Sequence, residues 1–216
     1  MNILTILVNF IIKISVQNKR FHLHKESIIK LKIKGIWLYC IKPNNDIKLF
    51  SINKLKFFTI IGSRRITLSQ INKSKAKLTS LLRVKKKAIV SGGARGSDTL
   101  AEYFAYKHNI FFIKILSALY INTIPNFIEE SKPNSLTCSP KLCIKSLQIK
   151  YALLYRNKIL SRLADFVISL ATPKQSGTSY TLLYSLLANK PIYFIKNRTN
   201  NNGANFLYKH NIGMFY

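Results

Sequence analysis

The sequence predicts an α/β fold: a doubly wound, mostly parallel sheet with helices on both faces. Two patterns carry that prediction. Short apolar runs (55–61, 88–91, 110–116, 166–170 and 191–195) alternate with segments of helical periodicity (67–84, 99–108, 151–164 and 176–189). Glycine-bearing turns stand at or shortly after the ends of three of those runs, where sheets of this kind gather their ligands. With 216 residues, 48% of them hydrophobic, the chain can bury the core of one such domain and carry a short extra segment.

Residues 1–16 are mostly apolar, but the run is short for a bilayer and Lys13 interrupts it. It reads as a helix or strand packed on the core, and no membrane association is expected. Residues 17–35 are basic with little pattern, so 1–35 is set apart as an N-terminal extension before a main domain at 36–216. Residues 36–41, with Trp37 and Tyr39, read as a strand; 43–46 is a turn. The run 55–61 is a buried strand ending in Gly62-Ser63-Arg64-Arg65. The helix at 67–84 points Ile71, Leu78, Leu81 and Leu82 inward. Strand 88–91 leads to the helix at 99–108, with Leu100, Phe104 and Tyr103 inward and His108 as its C-terminal cap. Strand 110–116 follows, then a short helix near 122–130 and a stretch at 131–148 without clear pattern. The helix at 151–164 carries Arg156, Asn157 and Arg162; strand 166–170 precedes Ser176-Gly177-Thr178-Ser179, which opens the next helix. Strand 191–195, a turn at 200–203 and a short helix near 205–209 close the chain.

The net charge of +28 calls for a polyanionic partner, nucleic acid first. An AT-rich genome, such as that of an organelle or a reduced bacterium, would supply much of the lysine by mutational drift. Arginine says more. Of eight, Arg64, Arg65, Arg95, Arg156 and Arg162 fall beside glycine turns or on one helix, where a planar fork suits phosphate better than lysine does. The cysteines Cys40, Cys138 and Cys143 give no even disulfide framework and no C-x-x-C pair, so a reducing compartment, cytoplasm or plastid stroma, is expected. Four scattered histidines make no metal site, and seven carboxylates leave little for acid–base catalysis. No cofactor is expected.

The densest motif is Ser91-Gly92-Gly93-Ala94-Arg95-Gly96-Ser97-Asp98. Its glycines allow positive φ and close approach to a ligand, the following helix start directs amides into the turn, and Arg95 adds a cation. Asp98 reads as the helix N-cap. Gly62-Ser63-Arg64-Arg65 alone is an ordinary strand-to-helix turn; beside the second glycine turn it completes an anion cradle. The pattern lacks the Gly-Lys-Ser/Thr of a Walker A loop and does not fit G-x-G-x-x-G. Ser176-Gly177-Thr178 reads as a helix cap or a third phosphate contact, and Arg156-Asn157-Lys158 as a solvated face or a polar pair for a nucleic-acid backbone. Tyr120, Phe127, Tyr151 and Tyr155 are read as core before base-stacking platform, tyrosine being common here.

The ordered set WLYCI (37–41), IIGSRRIT (60–67), SGGARGSD (91–98), YRNKILSRLAD (155–165), SGTSYT (176–181) and NNGANFLY (201–208) resembles the DNA-processing protein A family (DprA, also called Smf). The likeness covers about 36–210. It implies a Rossmann-like domain that binds single-stranded DNA and helps load a RecA-type recombinase during transformation or recombination, without catalysis, with a homodimer as its assembly. By motif position Gly62, Ser63, Arg64, Ser91, Gly92, Arg95 and Gly96 would line the pocket, joined by Arg156, Asn157, Ser176, Gly177 and Thr178; Arg65 and Gly93 stand in the same turns. Departures are LSALYINTIP after the third strand, LTCS in place of a strand ending S-E, Ala171 at an acidic position and Glu102 at a histidine position. Set against the family pattern, the expectation is of no C-terminal winged helix and of a reduced N-terminal helical module. Alternatives are a nucleotide-binding or phosphoribohydrolase-like enzyme of the same superfamily, or a vestigial copy.

Overall fold

The computed structural model describes residues 28–41, 49–120, 134–143, 149–170, 176–195 and 214–215. The expectations for 1–16, the turns at 43–46 and 200–203 and the short helices near 122–130 and 205–209 lie outside them.

Among the described residues, eleven strands and four α-helices follow in chain order: β1 (Ile28–Ile33), β2 (Ile36–Ile41), β3 (Lys56–Ile61), α1 (Leu68–Leu81), β4 (Lys87–Ser91), α2 (Ser97–Lys107), β5 (Phe111–Ile115), β6 (Leu119–Tyr120), β7 (Ser135–Ser139), β8 (Leu142–Cys143), α3 (Ile149–Leu163), β9 (Phe166–Ser169), α4 (Gly177–Leu187), β10 (Ile192–Phe194) and β11 (Met214–Phe215). A 3-10 helix, Leu49–Lys54, precedes β3. Nine strands form one sheet in the order β1-β2-β7-β5-β4-β3-β9-β10-β11, and β6 pairs with β8 in a small parallel one. The pairings from β7 through β11 are all parallel; β2 runs antiparallel to both of its neighbours. The chain builds outward from β3 through β4, β5 and β7, then returns to the other side of β3 for β9. The order therefore reverses between β3 and β9, which fixes where a crevice opens at the carboxyl edge.

The central strands are buried on both faces, as their unbroken apolar runs require. On one face Leu78 and Leu82, at the end of α1, pack with Leu100, Ala101, Phe104 and Ala105 of α2 over Phe58, Ile60, Ile89 and Phe112. On the other, Ile159, Leu160 and Leu163 of α3 cover Phe57, Ala88, Val90 and Ile113, joined by Ile33 and Leu38 of the β1–β2 hairpin; Leu182 of α4 packs on Val167, Ile192 and Phe194. The doubly wound arrangement is thus as predicted. Helix α1 starts at a capping box between Thr67 and Gln70. His108 caps α2, its amide donating to the Phe104 carbonyl.

Several expectations are corrected. Strand β1 falls in the stretch read as patternless, and it pairs residue for residue with β2 across the predicted boundary at 36. Strand β7 lies in the other unreadable stretch. Tyr103 is 47% exposed instead of inward, and Tyr151 (68%) and Tyr155 (44%) stand on the surface of α3 instead of in the core. Cys40 and Cys138, fully buried and directly opposite each other on β2 and β7, form a disulfide. Spacing in sequence concealed that pair, because strand register, not proximity along the chain, brings it together. Among the described residues no group of three His, Cys, Asp or Glu could hold a metal, and no helix is long and apolar enough to cross a membrane.

Candidate functional site

Loops after β3 and β4, the middle of α3 and the start of α4 enclose a cavity of about 450 Å³ at the carboxyl edge. Of the fourteen residues predicted from sequence, ten line it: Gly62, Ser63, Arg64, Arg65, Arg95, Arg156, Asn157, Ser176, Gly177 and Thr178. Sequence reading missed Ile61, Ala94, Leu160 and Thr181 as walls; only helical phase, counted from Asn157 and Thr178, could have flagged Leu160 and Thr181. Ser91, Gly92, Gly93 and Gly96 do not line the cavity but shape it from behind.

Their roles follow from close packing. The buried Ser91 hydroxyl donates to the Ile60 carbonyl (2.9 Å), joining two strand ends. Gly96, at φ +81°, is the residue before α2, and a Cβ there would stand 2.5 Å from the carbonyl oxygens of Ser63 and Arg64. Only glycine lets the two loops touch in this way. The Ser97 amide and hydroxyl then both donate to the Ser63 carbonyl, at 3.0 and 3.1 Å. Gly93, at φ +71°, lies over the stem of Lys114, whose ammonium pairs with Glu102 at 3.3 Å. Glu102 therefore has an ion-pair partner at the place where the resembling family has histidine.

The far wall is tied just as closely. The Asn157 amide, buried on α3, donates to the Gly177 carbonyl (3.1 Å). The Thr178 hydroxyl donates to the Gly62 carbonyl (2.8 Å). Ser176 is the N-cap of α4 and forms a capping box with Ser179, so it caps and lines at once. The expected convergence of separate turns on one crevice thus has a hydrogen-bonded cause.

Charge is divided between rim and floor. Arg64, Arg65 and Arg95 are exposed on the rim. Arg156 is sunk into the floor: one Nη donates to the Gly92 carbonyl (3.0 Å), the other to Asn157 Oδ1 (3.3 Å), and its buried Nε–H has no protein partner. Burial pushes the Arg156 pKa down, the Arg64 charge adds to that, and Asp98 opposes both; a guanidinium still keeps its proton. Asp98 is not the N-cap. That position is taken by Gly96, and Asp98 sits in the first turn of α2, accepting from the Ala94 amide (2.9 Å). Burial raises its pKa above the ordinary 3.8, against the Ala94 amide, the Ser91 side chain, the Arg156 charge and the Gly92 amide. It is the one carboxylate among the lining residues. The arrangement is a cation-rimmed cleft, suited to an extended anion.

The family model for DNA recombination-mediator protein A matches residues 46–214. No curated protein matches the chain. Among solved structures, DNA processing protein A from Helicobacter pylori, studied for its single-stranded DNA binding mode, is 24% identical with a TM-score of 0.65, over 83% of this chain and 81% of that one. DNA processing protein A from Streptococcus pneumoniae is 19% identical with a TM-score of 0.68, again over 83% of this chain but 62% of that longer one. The molybdenum cofactor binding protein of Rippkaea orientalis is 16% identical with a TM-score of 0.51, over 74% of this chain and 88% of that one. At these identities the likeness is one of Rossmann-like fold.

Proposed function

The chain belongs to the DNA recombination-mediator protein A family, and from that premise we propose that it binds single-stranded DNA by its phosphate backbone in the carboxyl-edge cavity. The observation that carries this reading is the cavity's charge: four arginines from three segments face one space, with Asp98 as the lone lining carboxylate. Arg64, Arg65 and Arg95 contact successive phosphates from the rim, and Arg156 adds its charge from the wall of the same cavity. Amides at the start of α4 and the glycines beside them let the strand approach closely. Such contacts hold position without reading sequence. Loading of a RecA-type recombinase and assembly as a homodimer belong to the same reading.

The role is non-catalytic. Asp98, the one carboxylate among the lining residues, accepts from the Ala94 amide and neighbours the Arg156 charge, and this reading assigns it to holding the loop after β4. Incubation with nucleoside monophosphates tests this, since release of free base would favour the phosphoribohydrolase alternative. For binding itself, oligonucleotide affinity is measured against salt. The logarithmic slope should be about −0.7 for each phosphate contacted, and it should become shallower in Arg64→Ala/Arg95→Ala. A double variant with the parent's affinity and slope would overturn the assignment.

A further inference from the structure

The β1–β2 hairpin carries a second basic surface. Its strands pair in strict register, with Lys30 opposite Tyr39 and Lys32 opposite Trp37. The period-2 pleat puts these four side chains on one face, while Leu31, Ile33, Leu38 and Cys40 on the other join the core. The two-residue turn Lys34-Gly35 has positive φ at both positions, as a tight hairpin requires. Cys40 fixes the hairpin to β7 through the disulfide. The platform is therefore rigid.

Its outer face is unusual. Trp37, the sole tryptophan of the chain, is 55% exposed. Lys30 Nζ lies 5.4 Å from the Trp37 ring centre and 5.6 Å from that of Tyr39, and Lys32 Nζ lies 5.8 Å from Trp37. Residues 28–41 contain no acidic side chain. An exposed ring, Trp37, and a half-buried one, Tyr39, spaced i and i+2 along one strand and faced by two ammonium groups, have the composition of a base-stacking platform. An exposed cation–π contact is weaker than the stacking of a base, so a base can displace an ammonium from the ring and leave it free to meet the adjoining phosphate.

We propose that this hairpin face is a second contact for single-stranded nucleic acid, in which Trp37 and Tyr39 stack bases while Lys30 and Lys32 neutralise phosphates. The inference rests on reading the protein's ligand as a single strand, but not on the arginine cavity. The chain's single tryptophan makes the test direct: Trp37 emission reports the hairpin, and the anisotropy of a labelled oligothymidylate reports binding anywhere. Both are titrated for the parent, for Lys30→Ala/Lys32→Ala and for Arg64→Ala/Arg95→Ala.

The expected result is quenching of Trp37 as the oligonucleotide saturates the parent. Quenching should persist in the cavity variant at weaker affinity. In the lysine variant quenching should be lost or shifted by about tenfold in concentration, with anisotropy binding retained. Trp37→Phe, which keeps a ring, should bind better than Trp37→Ala. Saturating anisotropy with unchanged tryptophan emission would overturn the hairpin contact and leave the cavity standing. Binding absent by both signals would overturn both.

Discussion

At the amino edge of the sheet Asp165 is fully engaged: its carboxylate accepts from the Phe57 amide at 2.8 Å and pairs with Lys34 at 3.2 Å. At the carboxyl edge Asp98 is desolvated, its pKa raised, beside Arg156, whose Nε–H has no partner. Both carboxylates end or begin helices on the same sheet, yet one edge is closed on itself and the other is left with surplus cation. Folding free energy favours the first arrangement. The second is electrostatically incomplete, and on the proposed reading a phosphate at the arginine rim would complete it. On the proposed reading, the difference separates residues kept for stability from residues kept for binding.

That separation can be broken in four ways, in descending order of effect. Arg64→Ala/Arg95→Ala should weaken single-strand binding by about a hundredfold or more at moderate salt and leave the thermal midpoint close to the parent's, both side chains being exposed on the rim. A large loss of stability would place these arginines with the structural set. Gly96→Ala should cost about 1–3 kcal/mol in urea unfolding, because the new Cβ meets two carbonyl oxygens at 2.5 Å, and should also weaken binding as the loops bearing Arg64 and Arg95 separate. Asp165→Asn should cost about 1–2 kcal/mol, discounted for its partial exposure, with binding unchanged.

The smallest effect is the pH dependence of Asp98→Asn. The native pKa of Asp98 stands above its unfolded value near 3.8. Its contribution to stability is therefore greatest below the unfolded value and is lost as pH rises through the raised native one. The asparagine variant lacks that slope, so its urea midpoint should gain on the parent's from acid towards neutral pH. Midpoints that move in parallel across that range would mean that the carboxylate is not penalised by its burial.

The fold was legible because β3, β4, β5 and β9 are short, unbroken apolar runs, and only strands covered on both faces read that way. Strand β1 was hidden by its own alternation: Lys30 and Lys32 looked like part of a charge run, although Ile29, Leu31 and Ile33 kept the period of a one-faced strand. Strand β7, SLTCS, lacks the apolar density that marks its neighbours. At the site, residue types identified the loops but not each residue's task. Glycine in a turn signals either ligand approach or loop-on-loop packing, and Gly96 proved to be the second. Asp98 looked like a cap because sequence does not reveal which of several nearby positions adopts the positive φ that ends the turn; here it is Gly96, two residues earlier. Tyr151 and Tyr155 were misplaced because a tyrosine can face inward or outward on a helix at little difference in cost.

The bond from Thr178 to the Gly62 carbonyl joins positions 116 residues apart. A chain emerging from the ribosome can have the β3 and β4 loops in place while the residues that lock them are still unmade. During synthesis, then, the arginines of the rim are separate cations on an unfinished sheet, surrounded by ribosomal and messenger RNA. The concave cleft arises only once α4 has left the exit tunnel, so on the proposed reading a nascent copy of this very basic protein lacks its mature hold on nucleic acid until that helix has been made.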